Sequence, residues 1–167
     1  SSKDYSAIQP IIDISLPDRP NLEIESIEVP QTEIKAGTTV QKDSIVFTVE
    51  NRGTIEATGT WTDKVYLSLD TEISSDDILI SSLTNGGALQ PLNTNTSSDI
   101  SDTEDKYRTV VSESFEIPKW FAGDAYIIVE TDAGNTVDEY PYSEKNVKYE
   151  KIIIDSLEPS DLVTSDV

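Results

Sequence analysis

The sequence runs to 167 residues with 36% hydrophobic content, enough for one domain with its own core plus flanking segments. Cysteine, methionine and histidine are all absent, which excludes disulfides, thiolate chemistry, imidazole bases and the usual zinc ligands, so any chemistry must rest on oxygen atoms. A formal charge of −20 opposes nucleic acid and anionic membranes, and it suits solubility, high ionic strength or a hard divalent cation.

Residues 1–19 read as a linker or the end of a preceding module, and the opening Ser1-Ser2-Lys3-Asp4-Tyr5 lacks the apolar segment of a signal peptide. No apolar run approaches the ~20 residues that cross a bilayer, so no membrane insertion is expected and an export signal would lie outside the chain. The body of the domain is expected over 20–155. Its apolar residues are mainly Ile, Val, Leu and Tyr without sustained helical spacing, which predicts an all-β fold.

Seven strands are predicted, in the pattern of an antiparallel immunoglobulin-like β-sandwich. Leu22 to Val29 comes first, and a change of parity between Ile24 and Ile27 predicts a bulge or a strand changing sheets. Thr39 to Glu50 follows the Ala36-Gly37 turn, with Ile45, Phe47 and Val49 on one face, and Asn51-Arg52-Gly53 turns the chain. Trp61 to Leu69 puts Trp61, Asp63, Val65, Leu67 and Leu69 on one face. Short strands are expected over Ile78 to Leu83 and Thr109 to Ile117, with 84–106 between them as a long acidic and polar loop. Ala125, Ile127, Val129 and Thr131 form the inward set of the next strand, and Val147 to Ile154 closes the domain. Residues 156–167 read as a linker and the start of a next module, because Ser160-Asp161-Leu162-Val163 echoes Pro20-Asn21-Leu22-Glu23.

The run Asn21-Leu22-Glu23-Ile24, then Val49-Glu50-Asn51-Arg52-Gly53-Thr54, Trp61-Thr62-Asp63-Lys64-Val65, Asp76-Asp77-Ile78-Leu79-Ile80, Ala122-Gly123-Asp124-Ala125-Tyr126 and Thr131-Asp132-Ala133-Gly134-Asn135-Thr136-Val137-Asp138-Glu139 together resemble the CARDB family, the cell-adhesion-related domains found in bacteria. The resemblance spans roughly residues 20 to 155. It implies an immunoglobulin-like module, in tandem or as an appendage of a large exported bacterial or archaeal protein, hence an extracellular or cell-surface location and neighbouring modules as partners. Two departures stand out: the long loop over 84–106, and an acidic, Asn-rich close spread over Glu139 to Asn146.

The leading chemical candidate is the loop after the sixth predicted strand, where Asp132, Asn135, Asp138, Glu139, Glu144 and Asn146 bring oxygen-bearing side chains close together. Calcium takes six to eight such ligands, and Gly134 lets the loop turn. In this fold the loop lies near Asn51 and Asp63, and Asp63 points inward by its alternation with Trp61, so it needs a hydrogen-bonding partner or a metal. Solvated loop acids, with Asp63 accepting backbone N–H bonds, are the alternative. A second candidate is Asp70, Glu72, Asp76 and Asp77, which lacks the central glycine and terminal glutamate of an EF-hand and reads first as a polar turn at the opposite end. Ser97 to Asp105 reads as a solvated acidic loop.

Pro118-Lys119-Trp120-Phe121 sets two aromatics at a turn, where they close a core or stack on a sugar. No glycine-flanked serine elbow, Ser-x-x-Lys motif or phosphate-binding glycine loop occurs, and 7% aromatics is thin for a sugar cleft, so no enzyme is expected. The sequence therefore predicts a non-catalytic structural or adhesion module, with calcium as its candidate cofactor. A cell-surface glycan, peptide or protein is the alternative partner, and a role positioning an exported hydrolase is a further alternative.

Overall fold

The computed structural model describes residues 16–92, 106–142 and 146–157, and these contain strands and turns but no helix. The strands are β1 (Leu22–Glu28), β2 (Glu33–Lys35), β3 (Thr39–Val40), β4 (Val46–Asn51), β5 (Ala57–Ser68), β6 (Ile78–Leu89), β7 (Lys106–Val110), β8 (Phe115–Glu116), β9 (Gly123–Glu130) and β10 (Val147–Asp155). They form a three-stranded sheet in the order β1-β4-β7, a five-stranded sheet β2-β10-β9-β5-β6 and a β3-β8 pair.

All-β architecture thus stands, with ten strands among the described residues where seven were expected. Two of the predicted strands are each divided in two: Thr39 to Glu50 becomes β3 and β4, and Thr109 to Ile117 is split between β7 and β8. The added strand, β2, runs parallel to β10, pairing Ile154 with Ile34, so pairing is not uniformly antiparallel. Its three residues carry one apolar side chain, Ile34, too little for a period to show.

Alternation explains the main strands. In β5, Trp61, Asp63, Val65 and Leu67 are buried, while the residues between them reach solvent in part. In β9, Ala125, Ile127 and Val129 are buried, and Thr131 continues their parity to full burial. The parity change in β1 is a register shift between Ile24 and Ser26 against β4. Buried side chains from both large sheets, Leu22, Phe47 and Val49 with Trp61, Val65, Ile127 and Ile152 among them, join one hydrophobic cluster. Leu69, placed on the inward face by its parity, is instead 47% exposed, because β5 ends at Ser68.

The predicted loop over 84–106 needs correction at its start, since Thr84 to Leu89 is the second half of β6, paired with β5 from Ala57 to Thr62. That half carries no apolar period because Asn85 is its partly buried position, Gly86, Gly87 and Ala88 are exposed, and Leu89 alone is buried. Asn85 serves a buried carboxylate, and Gly87 lies opposite Gly59, both at positive φ (121° and 98°). The stretch from Ser97 to Asp105, both predicted linkers in their outer parts and the repeat at Ser160 to Val167 lie outside the described residues.

Candidate functional site

Antiparallel pairing of β5 with β9 sets Lys64 opposite Glu130 and Ser68 opposite Tyr126. The loop leaving β9 at Thr131 and the turn leaving β5 at Leu69 therefore lie at opposite ends of the five-stranded sheet, as the sequence predicts.

At the first end Asp63 is fully buried. Its Oδ1 accepts from Thr131 Oγ1 (2.7 Å) and the Asp132 N–H (3.3 Å), and its Oδ2 accepts from Tyr107 Oη (2.6 Å) and Asn85 Nδ2 (2.5 Å). Tyr107 in turn accepts from Trp61 Nε1 (2.9 Å). Burial pushes the Asp63 carboxyl above the usual range, against the pull of these donors, and the neighbouring Asp132 charge adds to the push. Tyr107 is held well above the ordinary phenol range, by burial first and then by the Asp63 charge. Four donors on one carboxylate join β5, β6, β7 and the end of β9.

Asp132 is 2% exposed and has φ +46°. Its Oδ1 accepts from the Thr136 N–H (2.9 Å) and its Oδ2 from the Val137 N–H (2.9 Å), so the carboxylate turns the chain on itself. The loop docks on β5 through the Ala133 N–H and the Thr62 carbonyl (2.8 Å). Asn135 is exposed, with φ +48°, and Asp138 is exposed and pairs with Arg19 at 3.4 Å. Glu139, 2% exposed, accepts from the Leu22 N–H at the start of β1 and from Asn146 Nδ2 (2.6 Å). Burial raises its carboxyl, and the charges of Asp132 and Glu23 raise it further. Glu144 lies outside the described residues.

The predicted set is thus divided. Asp63 with Asp132, and Glu139 with Asn146, are buried in two linked hydrogen-bonded groups, whereas Asn135 and Asp138 face solvent. Among the described residues no three acidic side chains converge as a ready metal cluster. At the far end, Asp70 accepts from the Glu72 N–H (2.8 Å), Asp77 from the Ser74 N–H (2.7 Å) and Asp76 from the Ser74 hydroxyl. The Ser74 bond holds the Asp76 carboxyl below its usual value. Asp70, Asp76 and Asp77 build a polar turn whose oxygens cap the chain's own donors, and Glu72 enters it through its backbone N–H.

Three features were not legible in the sequence. Asn51 is fully buried and satisfied at both ends of its amide: Oδ1 accepts from the Asn21 (3.0 Å) and Gly53 (2.9 Å) N–H groups, and Nδ2 donates to the carbonyls of Ile55 (2.8 Å) and Leu89 (2.9 Å). Gly53 beneath it is obligatory, since a Cβ there would fall 2.2 Å from the Arg19 carbonyl oxygen. Glu50 is 1% exposed on β4, held by Arg52 and by Lys106 at 3.2 Å. Tyr107 and Asn85 could have been found from Asp63 outward, since a buried carboxylate demands donors, but their strands carry no clear period.

Pro118 to Phe121 places its two aromatics differently. Phe121 is 2% exposed and closes the core, while Trp120 is 69% exposed with its ring 4.6 Å from that of Phe121.

No protein-family model and no curated protein matches the chain. Among solved structures, the crystal structure of the CARDB domain of the PF1109 protein from Pyrococcus furiosus, described as in complex with di-metal ions, aligns at a TM-score of 0.53 and 17% identity, over 86% of this chain and 100% of that one. The solution structure of the same domain aligns at 0.52 and 18%, over 83% and 98%. A glucanotransferase from Paenibacillus sp. aligns at 0.42 and 9%, over 82% of this chain and 14% of that one, a depth that carries nothing about activity. The fold of the CARDB domain is therefore the fold of this chain.

Proposed function

We propose that this chain, sharing its fold with the CARDB domain, is a non-catalytic structural and adhesive module of a larger exported protein, its two large sheets closed as an immunoglobulin-like sandwich. The observation that carries this reading is the use of the buried polar groups. Asp63, Asp132, Glu139 and Asn51 spend their oxygens on the domain's own donors, which fixes loops to strands. Neighbouring modules and a cell-surface glycan or protein are the partners it fits. Beads coated with the chain should adhere to cells or immobilised glycans without turning over chromogenic glycosides; hydrolysis above the buffer rate would sink the non-catalytic reading.

Calcium at the loop acids belongs to this reading, supported by the solved neighbour described with di-metal ions. A recognition role has one specific observation in its favour, the exposed Trp120 ring on its Phe121 base. On a glycan array, Trp120→Ala should then lose whatever the parent retains, and equal retention would remove Trp120 from the contact.

A further inference from the structure

We infer that Glu139, Asn146 and Asn21 form a binding site for a hard cation of the calcium class where Glu139 and Asn146 meet the start of β1. Two buried oxygens there have no partner. Asn146 and Asn21 are each 5% exposed, and the amide oxygen Oδ1 of each accepts no hydrogen bond. Buried side-chain oxygens are almost always satisfied by protein, water or an ion, so each of these two is open to a water or a cation.

Both orphans belong to side chains or neighbours that already hold the same carboxylate. Asn146 donates Nδ2 to one oxygen of Glu139, and the other oxygen takes the N–H of Leu22, which follows Asn21 directly. The Asn146 amide cannot turn over to hide its oxygen, because that would set Oδ1 against the carboxylate. Asn21 is fixed likewise, with Nδ2 on Glu23 Oε1 (2.7 Å) and its own N–H on Asn51.

Electrostatics point the same way. Glu139 is buried, with the charges of Asp132 and Glu23 acting on it, and no basic side chain pairs with it among the described residues. The nearby guanidinium groups are engaged elsewhere: Arg19 meets Asp138, and Arg52 meets Glu50 and Glu23. Each Glu139 oxygen keeps a lone pair beyond its one hydrogen bond. One carboxylate and two neutral amide oxygens, completed by water, suit a weak calcium site of the kind found in extracellular modules, with Kd about 10⁻⁴–10⁻³ M. The inference deepens the calcium part of the reading above, and its failure would leave the part founded on the fold standing.

The test is thermal unfolding of the whole chain in chelator, in about 10 mM CaCl₂ and in NaCl of matched ionic strength, since general screening also relieves a charge of −20. Calcium should raise the melting temperature by about 3–8 °C beyond the salt control. Glu139→Gln keeps an acceptor for the Leu22 N–H, and its Nε2 can donate to Asn146 Oδ1 once that amide turns over, so it should fold and lose the calcium rise. Asn146→Asp sets a second carboxylate against Glu139, so it should melt below the parent in chelator and gain more from calcium than the parent does. A parent curve no different from the salt control would overturn the site and leave its oxygens to ordered water. A rise kept in Glu139→Gln, or Asn146→Asp without a larger gain, would overturn it equally.

Discussion

The two ends of the five-stranded sheet hold similar densities of acidic residues and use them in opposite ways. Around β9's end, Asp63, Asp132 and Glu139 are each at most 2% exposed; Asp63 and Glu139 bind donors from distant elements, while Asp132 ties up its own loop through Thr136 and Val137. In the turn between β5 and β6, Asp70 and Asp76 stay exposed and Asp77 half-buried, and all three cap N–H or O–H groups within a few residues of themselves. An aspartate's role here follows from parity and reach. On an inward position of a strand it must recruit distant donors or be lost; in an exposed turn it needs only its neighbours.

The sharpest way to break this contrast is Asp63→Ala. It strands the donors of Tyr107, Asn85 and Thr131 in the interior and should cost about 3 kcal/mol or more, read from urea unfolding. At the same end Gly53→Ala forces a methyl into the Arg19 carbonyl and should cost about 2 kcal/mol. A loss below about 0.5 kcal/mol would show that the Arg19 backbone gives way freely.

pH separates the two ends without mutation. Asp63 and Glu139 have folded-state carboxyls raised above their ordinary 3.8 and 4.5, so the native state binds more protons than the unfolded chain between those values and the raised ones. Stability should therefore climb as pH falls from neutral into that window. It should drop once groups held low, Asp76 and Glu113 among them, are protonated in turn. A melting temperature that only falls on acidification would contradict the burial of the first group. The smallest effect is expected from Asp70→Ala in the exposed turn, about 0.5 kcal/mol in the same urea assay.

How much of this was legible in the sequence tracks where alternation survives. Trp61, Val65 and Leu67 declared both the strand and the inward aim of Asp63, and Ala125 to Thr131 did the same for β9. The second half of β6 was hidden because Leu89 is its one buried hydrocarbon side chain, preceded by the amide of Asn85 and by exposed Gly86 and Gly87. The metal candidates were chosen by proximity along the chain. Proximity could not separate Glu139, drawn inward by the Leu22 N–H, from Asp138 beside it, which points to solvent and meets Arg19. Asn51 was visible as a turn residue near the candidate loop, but nothing local reveals that its amide reaches carbonyls at Ile55 and Leu89.

The short parallel contact between β2 and β10 has a mechanical meaning. One strand belongs to the first part of the chain and the other to its last part, bonded through the Ile153 N–H to the Thr32 carbonyl (2.7 Å) and the Ala36 N–H to the Asp155 carbonyl (2.8 Å). Because the strands run the same way, tension carried along the chain tugs them in opposite directions along their shared axis. The bonds between them are then loaded together in shear, where an antiparallel hairpin pulled from its open end would unzip one bond at a time.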